Sequence, residues 1–197
     1  MKIEERLRRF ELCGEQFKAQ GYAVRDCTFA IGRGTAVMLL TALPFAVVAV
    51  ILYIFLTDAY LVLWSEWLIF IVAVIVGIPV HELLHALGWA AVNRSFKGIR
   101  LGFQRNTLTP YCACSIPMNR LKYVFGVLLP FGVLGLLSAV FSIIFAKFWL
   151  LLFALCNIFM AGGDTAVTFK ALFYAPKGAL LLDHPERAGF FAFYKKD

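Results

Sequence analysis

Long, uninterrupted runs of apolar residues dominate the pattern of this chain. Four runs occupy roughly residues 35–57, 67–92, 121–146 and 148–173. Each exceeds the ~20 residues with which an α-helix crosses about 30 Å of hydrocarbon. The pattern therefore predicts an all-α membrane protein, a single domain with four transmembrane helices. Its parts are a cytoplasmic N-terminal segment (1–34), a four-helix membrane core (35–173) and a cytoplasmic tail (174–197).

Shorter elements are predicted outside the core. Apolar side chains recur at helical spacing over residues 3–18, which predicts an N-terminal interfacial helix or, equally, a helix that packs on its own protein. β-branched and aromatic residues predict a strand from Tyr22 to Ile31. The segment from Arg100 to Met118 predicts a cytoplasmic-side β-hairpin between the second and third helices, which either caps the bundle or offers an edge strand to an extended peptide. The turn signals near this hairpin are Gly98, Asn106 and Pro110.

Composition and charge fit the same architecture. Hydrophobic residues make up 61% of the 197 residues and charged residues only 16%, which is too apolar for an ordinary soluble domain. The net charge of +7 does not indicate a nucleic-acid partner, because 18 of the 19 Lys and Arg residues lie before residue 35, within 94–122 or from Lys170 onward. The positive-inside rule places these segments, and so both termini, in the cytoplasm.

The five cysteines are scattered along the chain. Their odd number and their predicted cytoplasmic or intramembrane positions indicate free thiols rather than structural disulfides. Cys112 and Cys114 are two residues apart, which places both thiols on one face of a strand. A metal clip at this pair is disfavoured, because the spacing is not the C-x-x-C of zinc ribbons and no second cysteine pair exists.

The second apolar run carries an H-E-x-x-H motif, His81-Glu82-Leu83-Leu84-His85. Residues four apart lie one above the other on a helix, so both imidazoles can reach one zinc ion while Glu82 lies close enough to act as general base. Zinc lowers the pKa of bound water to about 7 and polarises carbonyl groups. A chance motif is disfavoured, because the chain has only three histidines and ionisable residues inside a membrane are costly and usually functional.

Catalytic zinc sites usually have three protein ligands and an open fourth position. Asp164 is the best candidate for the third ligand, because the adjacent Gly162 and Gly163 permit close helix approach. His81 lies 14 residues beyond Trp67. Asp164 lies 15 residues beyond Trp149, so Asp164 and His81 are expected at nearly the same depth in the bilayer.

Other roles for these groups remain open. Asp164 would, without a metal, pair with Lys170 or take part in proton transfer, and His184 in the polar tail is the alternative ligand. Asn157 lies seven residues before Asp164, two helical turns away on the same face, and either binds the substrate backbone or joins helices. Two imidazoles and one carboxylate also accept iron or cobalt.

These residues resemble the bacterial membrane family described as putative zincin peptidases, formerly a domain of unknown function, and more distantly the site-2 proteases. The resemblance covers most of residues 65–193. It implies His81, His85 and Asp164 as ligands and Glu82 as catalytic acid and base. The proline-rich sequence and L-D-G aspartate usual in site-2 proteases are replaced here by Ala161-Gly162-Gly163-Asp164-Thr165. The markers are His81 to Leu87, Tyr111-Cys112, Pro130, Asn157, Gly163-Asp164 and Asp183-His184-Pro185 leading to Gly189-Phe190.

The predicted function is a zinc-dependent intramembrane or juxtamembrane endopeptidase in a bacterial cell membrane, acting on a membrane-associated protein or peptide. Water would reach the site through a cytoplasmic cavity lined by Glu82, Asn157 and Thr165. The alternative is a catalytically inactive zinc-binding scaffold or chaperone, which would require a closed site with four protein ligands. Metal or proton transport is disfavoured, because the first and third spans offer almost no polar residues.

Overall fold

The computed structural model describes residues 3–29, 33–104, 109–185 and 187–195. The helices are α1 (Ile3–Ala19), α2 (Arg33–Leu56), α3 (Trp64–Asn93), α4 (Arg120–Pro130), α5 (Ser138–Ile144), α6 (Phe148–Met160) and α7 (Gly162–Phe173), with a π-helical segment, Phe131–Leu137, between α4 and α5. The strands are β1 (Tyr22–Thr28), β2 (Ile99–Gln104), β3 (Thr109–Cys114), β4 (Met118–Asn119), β5 (Leu180–Asp183) and β6 (Gly189–Lys195).

Within the described residues, three helical stretches are long and apolar enough to cross a membrane, namely Ala36–Leu56, Trp64–Asn93 and Arg120–Ile144. The fourth apolar run passes the same test only as the pair α6 and α7, which are bent by 48° at the break between them. The sequence predicted a single continuous helix here. Gly162 and Gly163 at this break permit it but do not require it, since glycine is a poor helix former that still occurs within helices. The mostly helical, apolar architecture is confirmed, whereas the count of four spans and their orientation stay predictions.

A four-stranded antiparallel sheet, in the order β1-β6-β5-β4, joins the two ends of the chain. Tyr22 pairs with Lys195 and Thr28 with Gly189 across β1 and β6. The strand predicted from Tyr22 to Ile31 is thus present as far as Thr28, and Ile31 lies outside the described residues. The polar tail segment that contains His184 connects β5 and β6 of this sheet. Pairing between the two ends of a chain leaves no local signal in either segment.

The predicted hairpin between the second and third apolar runs is formed by β2 and β3. Ile99 pairs with Cys114 and Gln104 with Thr109. Gly98 lies in the turn before β2 with a φ of 77°. The predicted turn residue Asn106 lies outside the described residues. Pro110 was wrongly assigned to a turn, because it lies within β3, and a proline is tolerated in a strand where its missing N–H would not pair.

Helix α1 packs on the sheet through two aromatic side chains. The rings of Phe10 and Phe191 lie 4.9 Å apart, and those of Phe17 and Phe193 lie 4.6 Å apart. Of the two interpretations of this helix, the described contacts therefore support packing on its own protein. Its location at a membrane interface stays a prediction.

Two apolar cores hold these elements together. The first joins the ends of α3 and α4 to the sheet through buried side chains that include Trp89, Tyr123 and Phe190. The second lies among α2, the π-helical segment, α5 and α6, and includes Tyr53 and Ile158. The first core lies directly beside the H-E-x-x-H motif, so the sheet is part of the support of that motif.

Helix α2 is closely packed against the break between α6 and α7. The Thr41 hydroxyl lies 3.1 Å from the Gly162 carbonyl oxygen and 2.9 Å from the Thr165 hydroxyl. A Cβ atom on Gly162 would lie only 2.6 Å from the backbone oxygen of Met38. The first span, Ala36–Leu56, carries no charged residue, yet these contacts let it position the segment that carries Asp164.

The two adjacent glycines give a matched test of this packing. We expect Gly162→Ala to destabilise the protein by about 1–3 kcal/mol, the usual cost of overpacking, because the new methyl group meets backbone that cannot turn aside. Gly163→Ala should have a much smaller effect, since its Cβ would meet only the flexible end of Met38 at 3.7 Å. Thermal unfolding in detergent measures both. Equal loss of stability in the two variants would contradict the assigned contact.

Candidate metal site

The H-E-x-x-H motif lies in the second half of α3. His81 follows Trp64 by 17 residues, which corresponds to about 26 Å along the helix axis. His81 and His85 are buried, with 6% and 7% of their surface exposed. Their ring centroids are 4.8 Å apart. The helical spacing therefore places both imidazoles on one buried face, as the sequence predicted.

Asp164 comes to this face from α7. Its Oδ2 atom lies 3.1 Å from Nε2 of His81, and its Oδ1 atom lies 3.5 Å from Nε2 of His85. One potential ligand atom from each of the three side chains lies within 4.8 Å of the others. The structure thus brings together the three residues that the sequence proposed as ligands.

The break before α7 also provides Asp164 with a favourable local environment. The carboxylate lies in the first turn of the new helix. Free backbone N–H groups and the helix dipole stabilise a negative charge there, typically by about 0.3–1 kcal/mol and up to ~2 kcal/mol in partly buried sites. In one continuous helix the same aspartate would lie in the interior, without this stabilisation.

The orientation of His85 is determined by α4. Its Nδ1 atom lies 2.9 Å from the carbonyl oxygen of Gly126. A carbonyl oxygen can only accept, so Nδ1 carries the proton and donates it, which leaves the lone pair on Nε2, the atom nearest Asp164. Trp89 stacks on the His85 ring at a centroid distance of 5.6 Å. Histidine ligands of zinc are typically held by such a second hydrogen bond.

The unpartnered carboxylate oxygen of the cluster fits a bound cation. Oδ2 of Asp164 is a buried polar atom without a hydrogen bond of acceptable geometry, even though it lies 3.1 Å from Nε2 of His81. A buried carboxylate without a partner costs several kcal/mol. Two imidazole nitrogens and one carboxylate oxygen form the ligand set of catalytic zinc sites. These residues fit zinc and leave its fourth position open.

Glu82 lies beside this ligand cluster and beneath the hairpin. The backbone N–H of Cys112, on β3, faces its carboxylate. Burial raises the pKa of the Cys112 thiol, and the negative charges of Glu82 and Asp183 raise it further. The hairpin therefore covers the general-base candidate directly, and the Cys112 thiol is held in its neutral, unreactive form.

Asn157, the predicted substrate-binding residue, lies in the interior near α3. It is 2% exposed, and its Nδ2 atom donates to the Phe153 carbonyl at 2.9 Å. Its Oδ1 atom has no partner and would lie 3.7 Å from a Cβ atom on Gly77, one turn before His81. The sequence placed Asn157 on one helical face with Asp164, but the break lies between them.

The surroundings of two threonine hydroxyl groups were not predicted from the sequence. Thr165 was expected to line the water cavity, but its hydroxyl contacts Thr41 on α2, 2.9 Å away. Thr168, which sequence reasoning missed, carries a buried hydroxyl without a partner, one turn beyond Asp164. Its spacing of four residues from Asp164 is the signal that would have indicated it.

The alternative partners of Asp164 lie elsewhere. Nζ of Lys170 lies 2.8 Å from the Thr28 carbonyl oxygen and 4.0 Å from the Phe29 ring centroid. The ring of His184 packs against Phe10 at 5.1 Å. All five cysteines are free thiols. Among the described residues, neither His184 nor a cysteine belongs to the group of potential ligands.

A family model with the description "Putative zincin peptidase" matches residues 74–180, more than half of the chain. The chain therefore belongs to this family, which implies a zinc metallopeptidase, and the predicted family is confirmed. The matched range contains the motif on α3 and Asp164. No curated protein and no solved structure matches the chain. The more distant similarity to site-2 proteases stays a prediction.

The three histidines of the chain allow a controlled test of metal binding. We expect His81→Ala to lower zinc affinity by more than about 100-fold, since loss of even an outer-shell partner of a metal ligand costs 10–100-fold. His184→Ala should bind zinc like the unaltered protein. Elemental analysis of detergent-purified protein, equilibrated at a series of buffered zinc concentrations, measures both affinities. Equal zinc loss in the two variants would exclude the site on α3 and α7.

Proposed function

We propose that this chain is a zinc-dependent endopeptidase that hydrolyses peptide bonds of membrane-associated proteins, within the bilayer or beside it. His81, His85 and Asp164 hold the metal, Glu82 is the catalytic acid and base, and Asn157 binds substrate. The observation that carries the proposal is the convergence of the three ligand atoms within 4.8 Å of one another. Glu82 lies on the same helical turn, and the chain belongs to a zincin peptidase family.

The number of ligands favours a catalytic centre over a structural one. Structural zinc sites are closed by four protein ligands, whereas catalytic sites keep a position for water or substrate. The described residues supply three, and no cysteine joins them. A scaffold or chaperone with a structural zinc ion therefore lacks its fourth ligand here.

Glu82 carries the proton transfers of the proposed reaction. A zinc ion held by the three ligands supplies a Lewis acid that polarises the peptide carbonyl and lowers the pKa of water to about 7. Glu82 accepts a proton from the attacking water, whose oxygen bonds to the carbonyl carbon. Glu82 then returns the proton to the leaving nitrogen as the C–N bond breaks. The Cys112 N–H faces the carboxylate and can orient it for both transfers.

Asn157 has the free acceptor that a substrate contact requires. Its Nδ2 atom already bonds within its own helix, to Phe153. Its buried Oδ1 atom is unpartnered and can accept a backbone N–H from an extended peptide. The competing role, a bond that joins two helices, is unsupported, because no described hydrogen bond links this amide to another helix.

The membrane setting of the enzyme follows from its apolar helices and its charges. Three to four helical stretches are long and apolar enough to span a bilayer. The basic residues flank them in the two termini and the 94–122 segment, so both termini and the hairpin lie in the cytoplasm, in a multi-pass protein of a bacterial cell membrane. The partners are then the lipid bilayer and a membrane-associated substrate, with no role for nucleic acid.

Substitution of the general base tests catalysis separately from metal binding. We expect Glu82→Gln to retain zinc and to lose peptide cleavage by about 10²–10⁴-fold, the usual contribution of general acid–base catalysis. The assay uses purified protein in detergent with a panel of membrane peptides, and elemental analysis reports zinc.

Glu66→Gln is the matched control, because it removes the same charge at the opposite end of α3. Glu66 binds Lys147 at 2.7 Å and the backbone N–H of Leu63 at 3.0 Å, so this variant should lose stability but retain zinc and cleavage. If the unaltered protein and Glu82→Gln both bind zinc and neither cleaves any peptide in the panel, the result would support a zinc-binding scaffold instead. Protein without zinc affinity would refute both functions.

A further inference from the structure

We propose that Asp183 is a positioning residue, which together with Tyr123 clamps the β2–β3 hairpin to α4 so that the backbone of Cys112 meets Glu82. The proposal rests on the proposed function, since it concerns the alignment of the same general base. The family match ends at residue 180 and does not reach Asp183.

One carboxylate connects three elements. Asp183 is the last residue of β5. Its Oδ1 atom accepts a hydrogen bond from the Tyr123 hydroxyl on α4 at 2.5 Å. Its Oδ2 atom accepts from the backbone N–H of Cys114 on β3 at 3.1 Å. Hydrogen bonds to an ionised acceptor are shorter and stronger than neutral ones, so the carboxylate is well suited to hold the hairpin in place.

The regular geometry of β3 relates the Cys114 N–H, which Asp183 binds, to the Cys112 N–H near Glu82. Successive N–H groups of a strand point to opposite edges, so residues two apart present theirs on the same edge. The Ser115 N–H pairs with the Gly98 carbonyl in the turn before β2, and the Cys114 N–H therefore points away from β2. Cys112 presents its N–H on that same outer edge, where it faces Glu82. Two carboxylates thus face alternate amides of one strand edge.

Helix α4 is the common reference for the metal ligand and the general base. Its Gly126 carbonyl orients His85, and its Tyr123 carbonyl accepts the Trp89 indole N–H at 3.1 Å. The Tyr123 hydroxyl holds Asp183, and through it the hairpin. Tyr123 is 1% exposed and cannot exchange this bond for one to bulk water. A shift of about 1 Å in the hairpin would misalign Glu82 relative to His85, a displacement that can cost about 10²-fold in rate.

Two variants break the clamp at different points, and each has a control of the same type. Asp183→Ala removes the acceptor, and Tyr123→Phe removes one donor while retaining the ring. Asp26→Ala is the control for the first, because Asp26 on β1 binds Thr28 and Arg187 instead. Tyr53→Phe is the control for the second, because Tyr53 is equally buried and its hydroxyl donates to the Ala59 carbonyl.

Three measurements are made on the full chain in detergent. These are zinc content, kcat and KM for a cleaved peptide, and the rate at which N-ethylmaleimide alkylates Cys112, followed by peptide mass spectrometry. For Asp183→Ala and Tyr123→Phe we expect zinc to be retained, kcat to fall about 10–100-fold and KM to stay unchanged. Cys112 should react faster, because a displaced hairpin releases its thiol from burial and from the charge of Glu82. Neither control should change any of the three.

Several outcomes would overturn the clamp. An unchanged Cys112 alkylation rate in both clamp variants would do so, as would an equal increase in Tyr53→Phe. Loss of zinc in both clamp variants would show a general role in folding instead. If only Asp183→Ala fails to fold, the measurements on Tyr123→Phe decide whether the clamp is correct. The alkylation rate of Cys112 can be measured without catalysis. An unaltered protein that cleaves no peptide would therefore refute the proposed peptidase activity, while the alkylation rates would still test the clamp.

Discussion

The arrangement depends on one electrostatic constraint, which is the burial of the Asp164 carboxylate against His81 and His85. A carboxylate inside an apolar helix bundle costs several kcal/mol unless it has a partner of opposite charge. The two imidazole nitrogens lie 3.1 and 3.5 Å from its oxygens, yet Oδ2 lacks a hydrogen bond of acceptable geometry. A divalent cation would resolve this conflict, and the other features of the site bring these three side chains together.

The break in the fourth apolar run is part of this solution. It places Asp164 in the first turn of α7, where free N–H groups favour a negative charge. Gly162 at the break lies so close to the backbone of Met38 that no side chain fits. Helix α2, whose apolar part Ala36–Leu56 carries no charged side chain, thereby positions a candidate metal ligand. The 48° bend is better explained by this packing than by flexibility of the segment.

The hairpin and the terminal sheet place a second layer over the same site. Helix α4 orients His85 through a backbone carbonyl, and its Tyr123 side chain contacts the carboxylate that binds β3. The hairpin in turn brings the backbone N–H of Cys112 beside Glu82. The candidate metal ligand His85 and the candidate general base are thus both supported from α4. This common support explains why the sheet, formed from the two ends of the chain, packs against the ends of α3 and α4.

The sequence by itself determined the apolar runs, the hairpin, the family and the candidate residues His81, Glu82, His85 and Asp164. The runs, the hairpin and the motif depend on composition and on spacing within one element, whereas the family depends on a resemblance carried by residues along the chain. Only the tertiary structure decided the break before α7, the pairing of the chain ends, the turn of Thr165 toward α2 and the carbonyl that orients His85. The first three depend on close approach between segments that are far apart in the chain. The fourth depends on a backbone carbonyl oxygen, which every residue carries. Neither kind of contact produces a recognisable pattern in the sequence.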